Sequence, residues 1–436
     1  MVATEPSSPL DEDDEILNSV PDDLSEYEEE EDDEPKPVTG VPCAAWTFLA
    51  LGVVAGGLAN VTGTVPVTAA SPPGSSLFAA NPNAPTPTDK FFPPPGSLAP
   101  CANDPTCGAV MNGLGPNLPP STLALIDIPG TCQSKARDWL RTGRNVLTYP
   151  AERIRQRYSV SVFFCETDGG DWLQNDMWLT DIHECDWYNR LGLDPCNRVQ
   201  ELEIIRLNDN GLQGTLAPEL SILSTLYELT LSDNMITGTF PGDYSSLSQL
   251  DTFVLAFNQF QGPMPGFIFR FPDMVYWDIA YNRFTGTLPQ NIPQTMKDLQ
   301  VMMMENNNIG GTIPTNLGTL NLQRVHMDNN QLTGPIPSEL GQPPRLKQLY
   351  LHGNQLTGGV PSQLGNLNAL ETLTLHYNNL GASTSTNAAT GIANGNPKDT
   401  VSQSICNLMY QKSLSLITVD CGSISCECCT CGPGPF

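Results

Sequence analysis

Three of the chain's four histidines, His326, His352 and His376, are spaced 26 and 24 residues apart, and Asp328 lies two residues after the first. Imidazoles beside a carboxylate can bind a metal, move a proton, or stack on and hydrogen-bond a partner. Proton-transfer catalysis needs a nucleophile, an oxyanion donor or a phosphate cradle nearby. The sequence offers no Ser-His-Asp or Cys-His arrangement with a supporting motif, and no glycine-rich phosphate loop, HRD or DFG. The chain is therefore read as no enzyme, with no cofactor. The metal reading rests on two imidazoles and a carboxylate one strand apart, a suitable ligand set. The recognition reading rests on Tyr350 and Tyr377 beside the imidazoles, aromatic and polar surface suited to a protein or a sugar. Solvated variable positions are the third reading.

The spacing of the histidines belongs to a longer period. Asn210, Asn234, Asn258, Asn282, Asn307, Asn330, Asn354 and Asn378 recur at intervals of 24, 24, 24, 25, 23, 24 and 24 residues. Around Asn234 lie Leu226, Leu229 and Leu231, then Ile236, Gly238 and Pro241; around Asn354 lie Leu346, Leu349, Leu351, Leu356, Gly358 and Pro361. The unit LxxLxLxxNxIxGxxP is a leucine-rich repeat, in which a short parallel strand turns and returns through a less regular convex segment. One such coil cannot bury its apolar face alone, so the expected fold is an α/β solenoid of about eight 24-residue repeats with cysteine-bearing caps at both ends. The buried Asn is expected to bond backbone groups that the turn leaves unpaired, each worth ~1–3 kcal/mol if left so.

Strand residues between the buried leucines line the concave side. Four before each Asn stand Arg206, Thr230, Val254, Asp278, Met303, His326, Tyr350 and Thr374; two before stand Asn208, Ser232, Ala256, Ala280, Glu305, Asp328, His352 and His376. Phe257, Tyr281 and Tyr377 sit immediately before their asparagines, Tyr276 lies six before, and Trp277 occupies a leucine slot. With parallel strands ~4.8 Å apart, His352 and His376 become neighbours, and Asp328 and Glu305 continue their row. The candidate ligand-binding face is Phe257, Tyr276, Asp278, Tyr281, His326, Tyr350, His352, His376 and Tyr377. Its imidazoles are expected to titrate near ~6.5, with Asp328 raising the transition.

The endings LTGPIP at Leu332 to Pro337 and FTGTLP at Phe284 to Pro289 narrow the subclass. From about residue 150 onward the chain resembles the plant-type extracellular leucine-rich repeat family, which includes receptor-like proteins without a kinase domain and polygalacturonase-inhibitor-like repeats. The resemblance implies a twisted solenoid that binds an extracellular protein, peptide or glycan, and a signalling co-receptor for a chain with no kinase. It also implies an amino cap in which Trp172, Trp178 and Trp187 cover the first coil and Cys185 pairs with Cys196. Adjacent cysteines are missing before Trp187, and an inserted YNRLGLDP lengthens that loop.

Composition divides the rest. Residues 1–37 hold sixteen acids and one base, which is −15 of the net −27; such a self-repelling stretch reads as a disordered acidic tail over 1–40. A basic footprint for nucleic acid is absent. Residues 41–59, VPCAAWTFLALGVVAGGLA, carry no charge and as a helix reach ~28 Å, one hydrocarbon core. They are read as a transmembrane helix, the alternative being a cleaved signal sequence that releases a secreted product. Residues 60–120 are rich in Pro, Ser and Thr and read as a stalk. The cap is then placed at 121–200, the repeats at 201–381 and the second cap at 382–436.

Twelve of thirteen cysteines follow the apolar run, with none inside the repeats. Even clusters on both sides of a solenoid imply disulfide-closed caps in an oxidising compartment, which places the repeats outside and the tail in the cytosol. Cys101 and Cys107 are close enough to close a small loop, whereas Cys132 has no evident local partner. Cys406, Cys421, Cys426, Cys428, Cys429 and Cys431 allow fifteen pairings; a thiolate metal site is the alternative, and adjacent cysteines favour disulfides. Two functions follow: a membrane-anchored recognition protein, or a structural and adhesive protein of the cell surface or wall matrix.

Overall fold

The leucine period builds one continuous parallel sheet of ten strands in chain order. Its first eight, Ile204–Arg206, Glu228–Thr230, Thr252–Val254, Tyr276–Asp278, Val301–Met303, Arg324–His326, Gln348–Tyr350 and Thr372–Thr374, belong to the eight Asn-bearing coils, here coils 1 to 8. Like residues pair across coils, Ile205 with Leu229 and Leu349 with Leu373. Leu226, Leu229, Leu231, Leu346, Leu349 and Leu351 are fully buried, so each set covers the next. The computed structural model describes residues 87–431 apart from 95, 102–103, 117, 188–194, 265, 291, 293–295, 382–400, 412 and 421–423. The acidic tail, the apolar stretch 41–59 and the first part of the Pro-rich stretch lie outside these. Among the described residues no helix is long and apolar enough to cross a membrane.

The asparagines form a ladder through the turns. Asn234 Nδ2 donates to the carbonyls of Leu207, Leu231 and Ser232 at 2.9, 3.0 and 2.9 Å, and its Oδ1 accepts from Leu212 N at 2.9 Å. Past this turn the chain pairs again, in two four-stranded parallel sheets running from Gln213–Thr215 to Arg283–Thr285 and from Gly310–Thr312 to Asn379–Leu380. The glycine four residues after each of the first seven ladder asparagines lies beyond this turn with a positive φ, +84° at Gly214. A Cβ there would lie 2.1 Å from the Glu166 carbonyl oxygen, so this glycine also lets coil 1 dock on the cap. Short 3₁₀ segments such as Thr315–Thr319 and Ser362–Asn366 make the convex side.

Four helices close the amino end: α1 (Pro105–Leu114), α2 (Pro120–Leu125), α3 (Cys132–Thr142) and α4 (Ala151–Glu166). The stretch read as stalk therefore contributes to the cap from Pro87 onward, burying Phe92, Val110, Leu114 and Leu118. α4 is buried at Ile154 and throughout Gln156 to Cys165, because it lies between α1, α3 and coil 1. Trp172, Trp178 and Trp187 pack in a chain, with centroids 4.7 and 5.4 Å apart, and Phe164 stacks on Trp178. Disulfides join Cys101 to Cys107 and Cys185 to Cys196, and Cys132 finds its partner in Cys165, 33 residues on, tying α3 to α4.

At the far end α5 (Gln403–Tyr410) covers the last convex segment, and Leu416–Val419 and Thr430–Cys431 extend the sheet beyond coil 8. Cys406 pairs with Cys428 and Cys426 with Cys429; Cys431 is also disulfide-bonded, and Cys421 lies outside the described residues. Asp420 stands in for a ninth coil: its carboxylate accepts from Tyr377 N and Asn378 N at 2.8 and 3.1 Å, donors that in earlier coils reach the next coil's carbonyls.

Candidate functional site

Parallel register brings the expected row together. His352 stacks on His376 with centroids 4.6 Å apart and planes 12° from parallel, and His326 stacks on Tyr350 at 4.1 Å and 6°. Each ring is held by the next strand. His326 Nε2 meets Gln348 Oε1 at 3.1 Å, His352 Nδ1 meets Thr374 Oγ1 at 2.9 Å, and His376 Nδ1 meets Thr418 Oγ1 at 2.7 Å. Tyr377 packs edge-on to His376 at 4.9 Å. His352 Nε2 also faces Asp328 Oδ2 at 3.4 Å. A neutral imidazole with its proton on Nε2 uses both nitrogens there, donating towards Asp328 and accepting from Thr374.

The expected titration near 6.5 is overturned. Burial holds His326 down to about 4; burial, with His376 and His326 as cationic neighbours, does the same to His352 in spite of Asp328. Burial also lowers His376, against the pull of Asp420. These rings are neutral at ordinary pH. The metal reading fares worse on geometry: parallel stacked rings send their nitrogen lone pairs side by side instead of towards one ion. Among the described residues the group whose ligand atoms do converge is Cys406, Cys426 and Cys428, all in disulfides.

The other half of the face divides differently from the sequence expectation. Tyr276 and Asp278 are buried, not open contacts. Tyr276 joins Val254 and Val301 in a small apolar cluster separate from the main core, with Met303 against it. Asp278 accepts from Ala280 N at 2.9 Å, and burial, then Asp233, pushes it up to about 7. Glu305 is pushed up to about 9 by burial and by Asp278 and Asp328. Residues of adjacent strands crowd one another on this face, so side chains expected in solvent are packed against neighbouring coils.

Phe257 and Tyr281 remain open, at 40% and 44% exposure, and stack face to face at 4.2 Å and 12°. The position before each ladder asparagine is left-handed in every coil: Asp209, Asp233, Phe257, Tyr281, Asn306, Asn329, Gly353 and Tyr377 have φ between +45° and +63°. Asp, Asn and Gly adopt this conformation readily, whereas a bulky ring there costs roughly 1–2 kcal/mol. Two solvent-exposed rings recover little of that by burial. The run Asp, Asp, Phe, Tyr, Asn, Asn, Gly, Tyr was readable in the sequence, but its conformation was not.

Residues 321–343 and 345–367 match the Leucine Rich Repeat family. Together with the stacked parallel strands, this match gives the chain the leucine-rich-repeat fold. No curated protein sequence matches it. Among solved structures it is similar to a plant peptide hormone receptor, RGFR1 in complex with RGF2, at 26% identity and TM-score 0.43, covering 52% of this chain and 36% of that one. It is also similar to the Arabidopsis receptor kinase HAESA in complex with the peptide hormone IDA and the co-receptor SERK1, at 24% identity and TM-score 0.39, covering 52% and 41%. A plant ice-binding protein matches at 19% identity and TM-score 0.40, over 64% of this chain and 97% of that one. The chain thus spans well under half the length of the two receptor chains.

Proposed function

We propose that the concave face of coils 6 to 8 recognises an extracellular protein, peptide or glycan, and that the chain is anchored through residues 41–59 with its repeats outside the cell. The single observation behind the recognition reading is the anchored pair of stacks, His326 on Tyr350 and His352 on His376. Rings fixed by Gln348, Thr374 and Thr418 lose little conformational freedom when a partner covers them, which favours binding. The disulfides of both caps fit an oxidising compartment. Signalling, where it occurs, falls to a co-receptor.

The test is direct. The full chain is immobilised against extracellular material, bound components are identified by mass spectrometry, and the affinity of the purified partner is compared with that of His352→Ala/His376→Ala. The expected result is a loss of at least ~10-fold, with Thr315→Ala on the convex side unchanged. Because burial holds His326 and His352 down to about 4 and keeps His376 below the usual imidazole range, all three are neutral from pH 7 upward. Affinity should therefore be level between pH 7 and 8 where the partner itself does not titrate. An unchanged affinity in the double variant refutes the recognition reading, and survival of binding in a chelator refutes a metal-dependent one.

A further inference from the structure

Two disulfides of the carboxyl cap lie against each other. Cys428 is bonded to Cys406 and its chain neighbour Cys429 to Cys426, yet Cys426 Sγ is only 3.6 Å from Cys428 Sγ, across from one bond to the other. The Sγ atoms of Cys406, Cys426 and Cys428 all fall within 4.8 Å of one another. Thiol–disulfide exchange needs a thiolate within reach of a disulfide sulfur. Opening the Cys426–Cys429 bond from the Cys429 side leaves such a thiolate at Cys426, beside the second bond.

The two bonds differ in access and in what they hold. Cys406 is 4% exposed, whereas Cys426, Cys428 and Cys429 are only partly buried. The Cys406–Cys428 bond ties α5 to the segment whose next strand, Thr430–Cys431, pairs with Thr418 and Val419 at the end of the sheet. The remaining ties of α5 are noncovalent: Ile405 and Leu408 are buried, Ser404 Oγ donates to the Ser362 carbonyl at 3.0 Å, and Val401 N, just before the helix, donates to the Ser425 carbonyl at 3.1 Å.

We infer that Cys429 is a modification site for a low-molecular-weight thiol, and that its modification is relayed through Cys426 to free Cys406 and unlatch α5 from the end of the sheet. A thiolate RS⁻ attacks Cys429 Sγ; the bond from RS to Cys429 forms, the Cys426–Cys429 bond breaks, and its electron pair leaves on Cys426. Freed from Cys429, the Cys426 side chain turns into line with the Cys406–Cys428 bond and attacks Cys428 Sγ. The Cys426–Cys428 bond forms, and Cys406 leaves as a thiolate that takes up the proton RSH gave. Two disulfide bonds stand before and after, and one thiol has replaced another, so no electrons are gained or lost. The second step is intramolecular, which favours it over attack on Cys428 by the same thiol from solution.

The probe is glutathione, incubated with the full chain, followed by trapping with N-ethylmaleimide, fragmentation mass spectrometry and hydrogen exchange. The expected product carries glutathione on Cys429, a Cys426–Cys428 disulfide and maleimide on Cys406, and α5 loses protection as it forms. Cys426→Ser/Cys429→Ser keeps the Cys406–Cys428 bond but removes the relaying thiolate, so release of Cys406 should slow at least ~10-fold. Release at the parent rate in that variant overturns the relay, as does glutathione on Cys428 or Cys406 with Cys426–Cys429 intact. Maleimide on Cys426 with Cys406 still bonded, or no glutathione on these cysteines, overturns it too. Where the double variant melts far below the parent, the position of glutathione in the parent chain decides alone. Labelled Cys406 with α5 protection unchanged overturns the latch.

Discussion

Replacing Asn282 with alanine is expected to destabilise the chain by roughly 2–4 kcal/mol. Asn282 Nδ2 donates to the carbonyls of Leu255, Ile279 and Ala280 at 2.9, 3.3 and 3.0 Å, and Oδ1 accepts from Phe260 N at 2.9 Å. Alanine leaves Phe260 N without this acceptor and takes one donor from each of three carbonyls, which keep Asn258 Nδ2, Asn307 Nδ2 and Phe257 N, inside a turn where the side chain is 8% exposed. Because each coil is stabilised by its neighbours, a broken rung in coil 4 uncouples the two halves of the array. Urea unfolding followed by the fluorescence of buried Trp277 should move to a lower midpoint and lose cooperativity. A midpoint within about 0.5 kcal/mol of the parent would mean that the ladder is not what holds the turns.

Glu184→Ala should cost a similar ~3–5 kcal/mol, this time by loosening the amino cap. Glu184 is fully buried; its Oε2 accepts from Arg157 Nη1 at 2.9 Å and its Oε1 from Gln156 Nε2 at 2.8 Å. Arg157 also donates to the carbonyls of Ile182 and Thr180 and lies over the rings of Trp139 and Trp187 at 4.9 and 5.1 Å. Removing the carboxylate leaves a guanidinium in an apolar site with its charge uncompensated. Glu184→Gln keeps the acceptor and should cost less. The cycle with Arg157→Met measures the coupling: the double variant should recover much of the loss of Glu184→Ala, and strict additivity would show that the two charges do not act as a pair.

The contrast between these two sites shows what the sequence carries. The ladder was legible because a 24-residue period repeats the same local demand, and a leucine column read at Leu229 is read again at Leu349. Arg157 and Glu184 belong to no period; their meeting depends on how α4 packs against the loop after Trp178, which no local pattern states. Cys132 and Cys165 are likewise joined by helix packing, not by spacing. The neighbours His352 and His376 followed from register alone. Their low pKa did not, since alternation says which way a side chain points but not how tightly the adjacent strands bury it. The extension of the sheet through Leu416–Val419 was hidden for the same reason: that strand lacks the asparagine motif and is recruited by the open edge of coil 8.

Hydrogen exchange of the full chain with and without its purified partner tests the central claim most directly. The account predicts that protection gained on binding concentrates on the concave strands Arg324–His326, Gln348–Tyr350 and Thr372–Thr374 and on the turn at Tyr377. The convex segments Thr315–Thr319, Ser338–Gly341 and Ser362–Asn366 should be unchanged. Protection confined to those convex segments, or to the helical cap, with the concave strands unaffected, would contradict it.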